Sequence, residues 1–125
     1  MAAVADLWDE NVHRTSGRCA LCRVFASATL RAGRGLKAFR RLPSFALVYV
    51  LSGHGSYQSR EAGILTIGAG DFLLVFPDHP HVYGPHSGQS WSERYLLFEG
   101  SVFETWMDSG VISPRKPRYH AEPIR

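Results

Sequence analysis

Hydrophobic positions in this chain fall into short runs. Residues 45–51 (FALVYVL), 64–67 (ILTI) and 72–76 (FLLVF) are rich in Val, Ile, Leu, Phe and Tyr, and each is followed or bounded by turn-forming residues. The punctuation is Ser52-Gly53-His54-Gly55, Gly68-Ala69-Gly70-Asp71 and Pro77-Asp78-His79-Pro80. Runs this short, closed off by Gly, Pro, Asp and Ser, predict strands joined by tight turns and are too short for helices. The first run is apolar at both alternating sets of positions, which suits a strand covered on both faces inside a two-sheet body. The expected fold is all-β, a sandwich or barrel.

The flanks extend this pattern. Residues 23–30 alternate like a first strand, Ala32-Gly33-Arg34-Gly35 turns the chain, and residues 36–39 predict a short second strand leading into Arg40-Arg41-Leu42-Pro43. Residues 91–98 have period two, with Trp91, Glu93, Tyr95 and Leu97 on one face and Ser92, Arg94, Leu96 and Phe98 on the other. Two aromatics with one carboxylate describe a barrel interior that holds a polar ligand, and equally an exposed edge strand. The pattern alone leaves both open. Ser101-Val102-Phe103-Glu104 reads as a capping box, so a short C-terminal helix is expected after Ser101. Val102, Phe103, Trp106 and Met107 share one stripe of it, and Gly110 is placed to end it in a left-handed conformation.

Residues 1–17 show no period and carry only Leu7 and Trp8 as large apolar groups, as in an arm anchored at one or two points. The proline-rich residues 113–125 cannot form a helix of any length and read as a tail or linker. Residues 18–112 are then the folded body. With 125 residues, 45% hydrophobic and 20% charged, the composition is that of an ordinary globular domain, and no apolar run is long enough for a membrane span. The start lacks the basic and apolar regions of a signal peptide, so a cytoplasmic location is expected. A net charge of +3 is mild. The basic residues of 31–41 and the tail read as solvated loops, with no aromatic interleaving of the kind that stacks on bases.

Chemistry-bearing motifs are few. Cys19 and Cys22 form a single CxxC, short of the two pairs that a zinc site usually needs, and the alternating residues after it do not suit a redox helix. Two reduced thiols at the edge of a strand are expected. There is no Gly-x-Ser-x-Gly turn, and the glycine turns lack the Lys and helix of a phosphate loop. Glu93 near His81 is a candidate acid–base pair, or else a carboxylate paired with Arg40, Arg41 or Arg94.

The succession "YVLSGHGSY", "LTIGAGDFLLVFPDHPHVYG" and "WSERYLLFEG" resembles the sensor domain of AraC-family transcriptional regulators, a cupin-type jelly roll, from Phe45 to Gly110. The resemblance implies a domain that binds a small polar molecule, a sugar or an organic acid, and pairs as a homodimer. It implies DNA contact only through a separate helix-turn-helix region that is absent from these residues. The ligand-binding positions it implies are Arg40 or Arg41, His81, Tyr83, Glu93 and Tyr95, with Trp8 as the arm's plug over the site. Metal-dependent cupins carry a His-x-His and a Glu before the Gly53 turn. Here the matching places hold Arg40, Leu42 and Phe45 or Ala46, leaving His81 alone, so neither a metal nor another cofactor is expected. The alternative is a small stand-alone cupin enzyme of the isomerase or dioxygenase type, and a third possibility is a closed barrel that serves only for pairing.

Overall fold

The computed structural model describes residues 13–14 and 21–121. The described residues form two antiparallel sheets and one short helix, the jelly-roll β-sandwich expected from the sequence. In order the elements are β1 (His13–Arg14), β2 (Arg23–Gly33), β3 (Phe45–Ser52), β4 (His54–Ser59), β5 (Gly63–Gly68), β6 (Asp71–Val75), β7 (His81–Pro85), β8 (Trp91–Glu99), α1 (Ser101–Asp108) and β9 (Arg118–His120). The larger sheet has the order β1-β2-β8-β3-β6-β9 and the smaller β5-β4-β7.

Period-two side chains divide the larger sheet into an inner and an outer face. Inward go Ala26 and Ala28 of β2, Val48 and Val50 of β3, Leu73 and Val75 of β6, and Trp91, Tyr95 and Leu97 of β8, against Tyr57 and Ile67 of the smaller sheet. On the outer face, Phe45, Leu74, Phe76 and Phe98 make a second apolar cluster, closed over by Phe103 and Met107 of α1. The Phe103 ring stands edge-on to Phe98 at 4.7 Å. Apolar residues at both alternating sets of β3 are thus used on both faces, as the sequence required.

Several elements differ from the sequence expectation. β4 falls where a turn followed by polar residues was expected, because the inward positions of HGSYQS are Gly55, Tyr57 and Ser59, which give little apolar signal. Residues 36–39 are not a strand. The segment runs beside β7 through Leu36 N–H to the Tyr83 carbonyl (2.9 Å) and a mutual exchange between Arg40 and His81 (2.9 and 3.0 Å), while Lys37, Ala38 and Phe39 are exposed. In the proline-rich residues, Pro117 is fully buried and its carbonyl accepts from Leu74 N–H, after which β9 pairs with β6. α1 has no capping box: Gly100 is its N-cap, no side chain caps it, and Ser101 is already helical. Gly100 sits at φ 145°, where a Cβ would collide with the Leu21 carbonyl, so close packing against the segment that leads into β2 takes precedence over a capping side chain. At the other end Gly110, at φ 81°, donates to the Met107 carbonyl as expected.

Candidate functional site

Between the sheets, one polar group of side chains interrupts the apolar interior. β7 points His81 and Tyr83 inward, β8 points Trp91, Glu93 and Tyr95 inward, and the Arg40–His81 backbone exchange holds Arg40 at the margin. Of the two candidate arginines, the structure brings Arg40 to the site and leaves Arg41 exposed in solvent. Arg40 is held by that exchange and Arg41, the next residue, faces away. Arg40 Nε donates to His81 Nε2 at 3.3 Å, and Arg40 Nη2 donates to the Tyr83 hydroxyl at 3.1 Å. Its guanidinium also lies 5.6 Å from the centre of the Tyr83 ring.

These contacts set the state of the histidine. The His79 carbonyl can only accept, so His81 Nδ1 carries the proton and donates to it at 3.0 Å, leaving Nε2 as the acceptor for Arg40. Burial, with the Arg40 charge beside it, pushes the His81 pKa down to about 4, and the ring is neutral at ordinary pH. The ring lies nearly parallel to those of Tyr57 and Tyr83, at 6.2 and 5.9 Å. Tyr83 continues the series to Trp91 at 6.1 Å. Burial raises the hydroxyl pKa of Tyr83, with the Glu93 charge adding to it, so this group stays protonated.

Glu93 is the unusual member, being 3% exposed. Its Oε1 accepts from Trp91 Nε1 at 3.2 Å, while Oε2 has no hydrogen-bond partner among the described residues. It is therefore paired with the indole and with none of Arg40, Arg41 or Arg94. Desolvation dominates and pushes its pKa up to about 7, against the lowering by the indole N–H and by Arg40. A buried carboxyl with one idle oxygen is a donor when protonated and an acceptor when ionised, so it suits hydroxyl or amide groups of a ligand.

His81, Tyr83, Glu93 and Tyr95 thus face one interior, with Arg40 at its edge. Tyr57 and Trp91 belong to the same group and were not foreseen as site residues. Trp91 shares the period-two face of Glu93, which was the available signal; Tyr57 lay in the unforeseen strand. Trp8 and Cys19 lie outside the described residues, and Cys22 is exposed. His79 pairs with Glu61 at 2.9 Å, and His86 is exposed in the loop before β8. Among the described residues, no three His, Cys, Asp or Glu side chains converge in a way that could hold a metal ion. No helix among them is long and apolar enough to cross a membrane.

A family model described as "AraC-like ligand binding domain" matches residues 28–123. No curated protein matches the chain by sequence. Among solved structures, the protein YhaK from Escherichia coli superposes with a TM-score of 0.54 at 14% identity, over 71% of this chain and 44% of that one. The chain thus covers less than half of that protein's length. A cupin protein from Bacteroides fragilis gives a TM-score of 0.48 at 17% identity, over 73% of this chain and 86% of that one. Oxalate decarboxylase from Bacillus subtilis gives 0.45 at 19% identity, over 76% of this chain and 23% of that one.

Proposed function

The chain belongs to the AraC-like ligand-binding domain family, and from that premise we propose that it is the small-molecule-sensing and dimerisation part of an AraC-type transcriptional regulator. It acts as a binding module and not as an enzyme, with DNA contact left to a helix-turn-helix region outside these residues. The observation that carries the reading is the partly buried Arg40–His81–Tyr83 network facing Glu93, whose Oε2 has no hydrogen-bond partner among the described residues. An unsatisfied buried carboxyl oxygen costs free energy that a ligand hydroxyl can recover, and the aromatic side chains around it give a small polar molecule an apolar surface.

The ligand in this reading is a sugar or an organic acid bound by Arg40, His81, Tyr83, Glu93 and Tyr95. Pairing follows two-fold symmetry, the commonest closed assembly. Phe103 and Met107 of the helix stripe are engaged with the chain's own sheet, so the part of α1 open to a second copy is the flank of Trp106, 42% exposed. A thermal-shift screen of sugars and carboxylates tests the sensing function. A ligand that binds only the folded state, at about a hundred times its dissociation constant, adds roughly 2.7 kcal/mol of stability. Tyr83→Ala should remove much of that gain and Glu93→Gln should change which compounds work. If no compound stabilises the wild type, or if a hit stabilises all three proteins equally, the interior is not a sensor. A monomer in sedimentation at tens of micromolar would separately remove the pairing role.

A further inference from the structure

Among the described residues, the outer face of the larger sheet is only half covered. α1 lies over Phe45, Leu74, Phe76 and Phe98, while farther along the same strands Leu47, Tyr49, Phe72, Arg94, Tyr95 and Leu96 line an open groove of about 220 Å³. The Tyr49 and Phe72 rings meet across β3 and β6 at 4.6 Å, forming an aromatic wall. Arg94 is the one charged residue of the lining; it is exposed and makes no ion pair among the described residues.

We infer that this groove is a second binding site, distinct from the interior, for a small hydrophobic carboxylate. Apolar walls offer nothing to the hydroxyls of a sugar, whereas an acyl chain or aromatic ring gains by leaving water there. The guanidinium at the groove presents a planar fork matched to a carboxylate. The volume lies below that of drug-sized sites, so the occupant is a short acid. A second copy stacked groove on groove by two-fold symmetry would bring two Arg94 side chains together, and like charges placed opposite each other disfavour that arrangement. The two sites lie back to back on β8, where Glu93 points inward and Arg94 outward.

Octanoate is a suitable probe, titrated calorimetrically into the whole chain beside 1-octanol, which has the same tail and no charge. Saturable octanoate binding is expected, at least about tenfold weaker in Arg94→Gln, since a hydrogen bond to a charged group is worth that much. Octanol should bind at least as weakly to the wild type, a comparison that needs no variant. Tyr83→Ala and Glu93→Gln should bind octanoate as the wild type does. Absence of saturable binding at millimolar octanoate, equal binding by Arg94→Gln, or loss of binding in Tyr83→Ala overturns the inference. So does octanoate that binds only the dissociated monomer of a self-associating protein, which would assign the face to a second copy.

Discussion

Glu93→Gln should change how stability depends on pH, with a sign fixed by the site. The folded-state pKa of Glu93 is raised from 4.5 to about 7, so in the range between them the folded protein holds a proton that the unfolded chain has lost. Stability from this group is therefore greatest below 4.5 and falls as pH rises toward 7. At about 1.4 kcal/mol per pH unit, the loss amounts to about 3 kcal/mol. His81 works oppositely. Its pKa is lowered from 6.5 to about 4, so the unfolded chain holds the extra proton and stability rises with pH through that range, by a similar amount. In the wild type the two opposing slopes offset each other where they overlap. Glutamine keeps the acceptor for Trp91 Nε1 and removes the carboxyl titration, so the His81 slope should stand alone in the variant. Urea unfolding of both proteins from about pH 4.5 to pH 8 reads this directly. The stability of Glu93→Gln relative to wild type should improve by about 3 kcal/mol across that range, whatever its offset at the acid end. A difference that stays constant with pH, or one that shrinks as pH rises, would refute the assignment of a raised pKa to this buried carboxyl.

Phe103→Ala should cost about 2 kcal/mol by uncovering Phe45 and Phe98, with loss of helical signal in circular dichroism and the sheets retained; a melting temperature unchanged from wild type would show that α1 is not anchored there. Gly100→Ala should cost about 2 kcal/mol or more, because its Cβ meets the Leu21 carbonyl at a backbone angle that side chains avoid, and chemical denaturation that finds the variant as stable as wild type would contradict that close approach.

Most of this architecture was legible where side chains announce their faces. β3, β6 and β8 carry large apolar groups at regular spacing, and the inward set of β8, which pattern alone left open, is the set the site uses. What escaped was set by backbone contacts. β4 has near its start a glycine whose lack of a side chain permits a close pass over β7, where a Cβ on Gly55 would strike the Gly84 carbonyl. β9 is only three residues long and depends on β6 for its pairing. Ser101 and Glu104 satisfy the spacing of a capping box, yet the approach of Gly100 to Leu21 and Cys22 starts the helix one residue too early for it. The choice between Arg40 and Arg41 was invisible for a similar reason. It depends on which residue exchanges backbone hydrogen bonds with His81, a partner 41 positions away.

β8 is paired on both sides, with β2 through Ala26↔Leu97 and Ala28↔Tyr95 and with β3 through Ala46↔Leu97 and Val48↔Tyr95. Two neighbours thus hold one register, and a strand alternates faces at every residue. The chain consequently tolerates changes of length very unevenly. An added residue among the exposed positions 86–90 lengthens a surface loop, at a small cost in closure entropy. The same residue added inside β8 would carry Arg94 into the core and Glu93 out to water, exchanging the chemistry of the two faces in one genetic event. Divergence among relatives of this chain should therefore bring gaps before Trp91 and substitutions, without gaps, from there to Glu99.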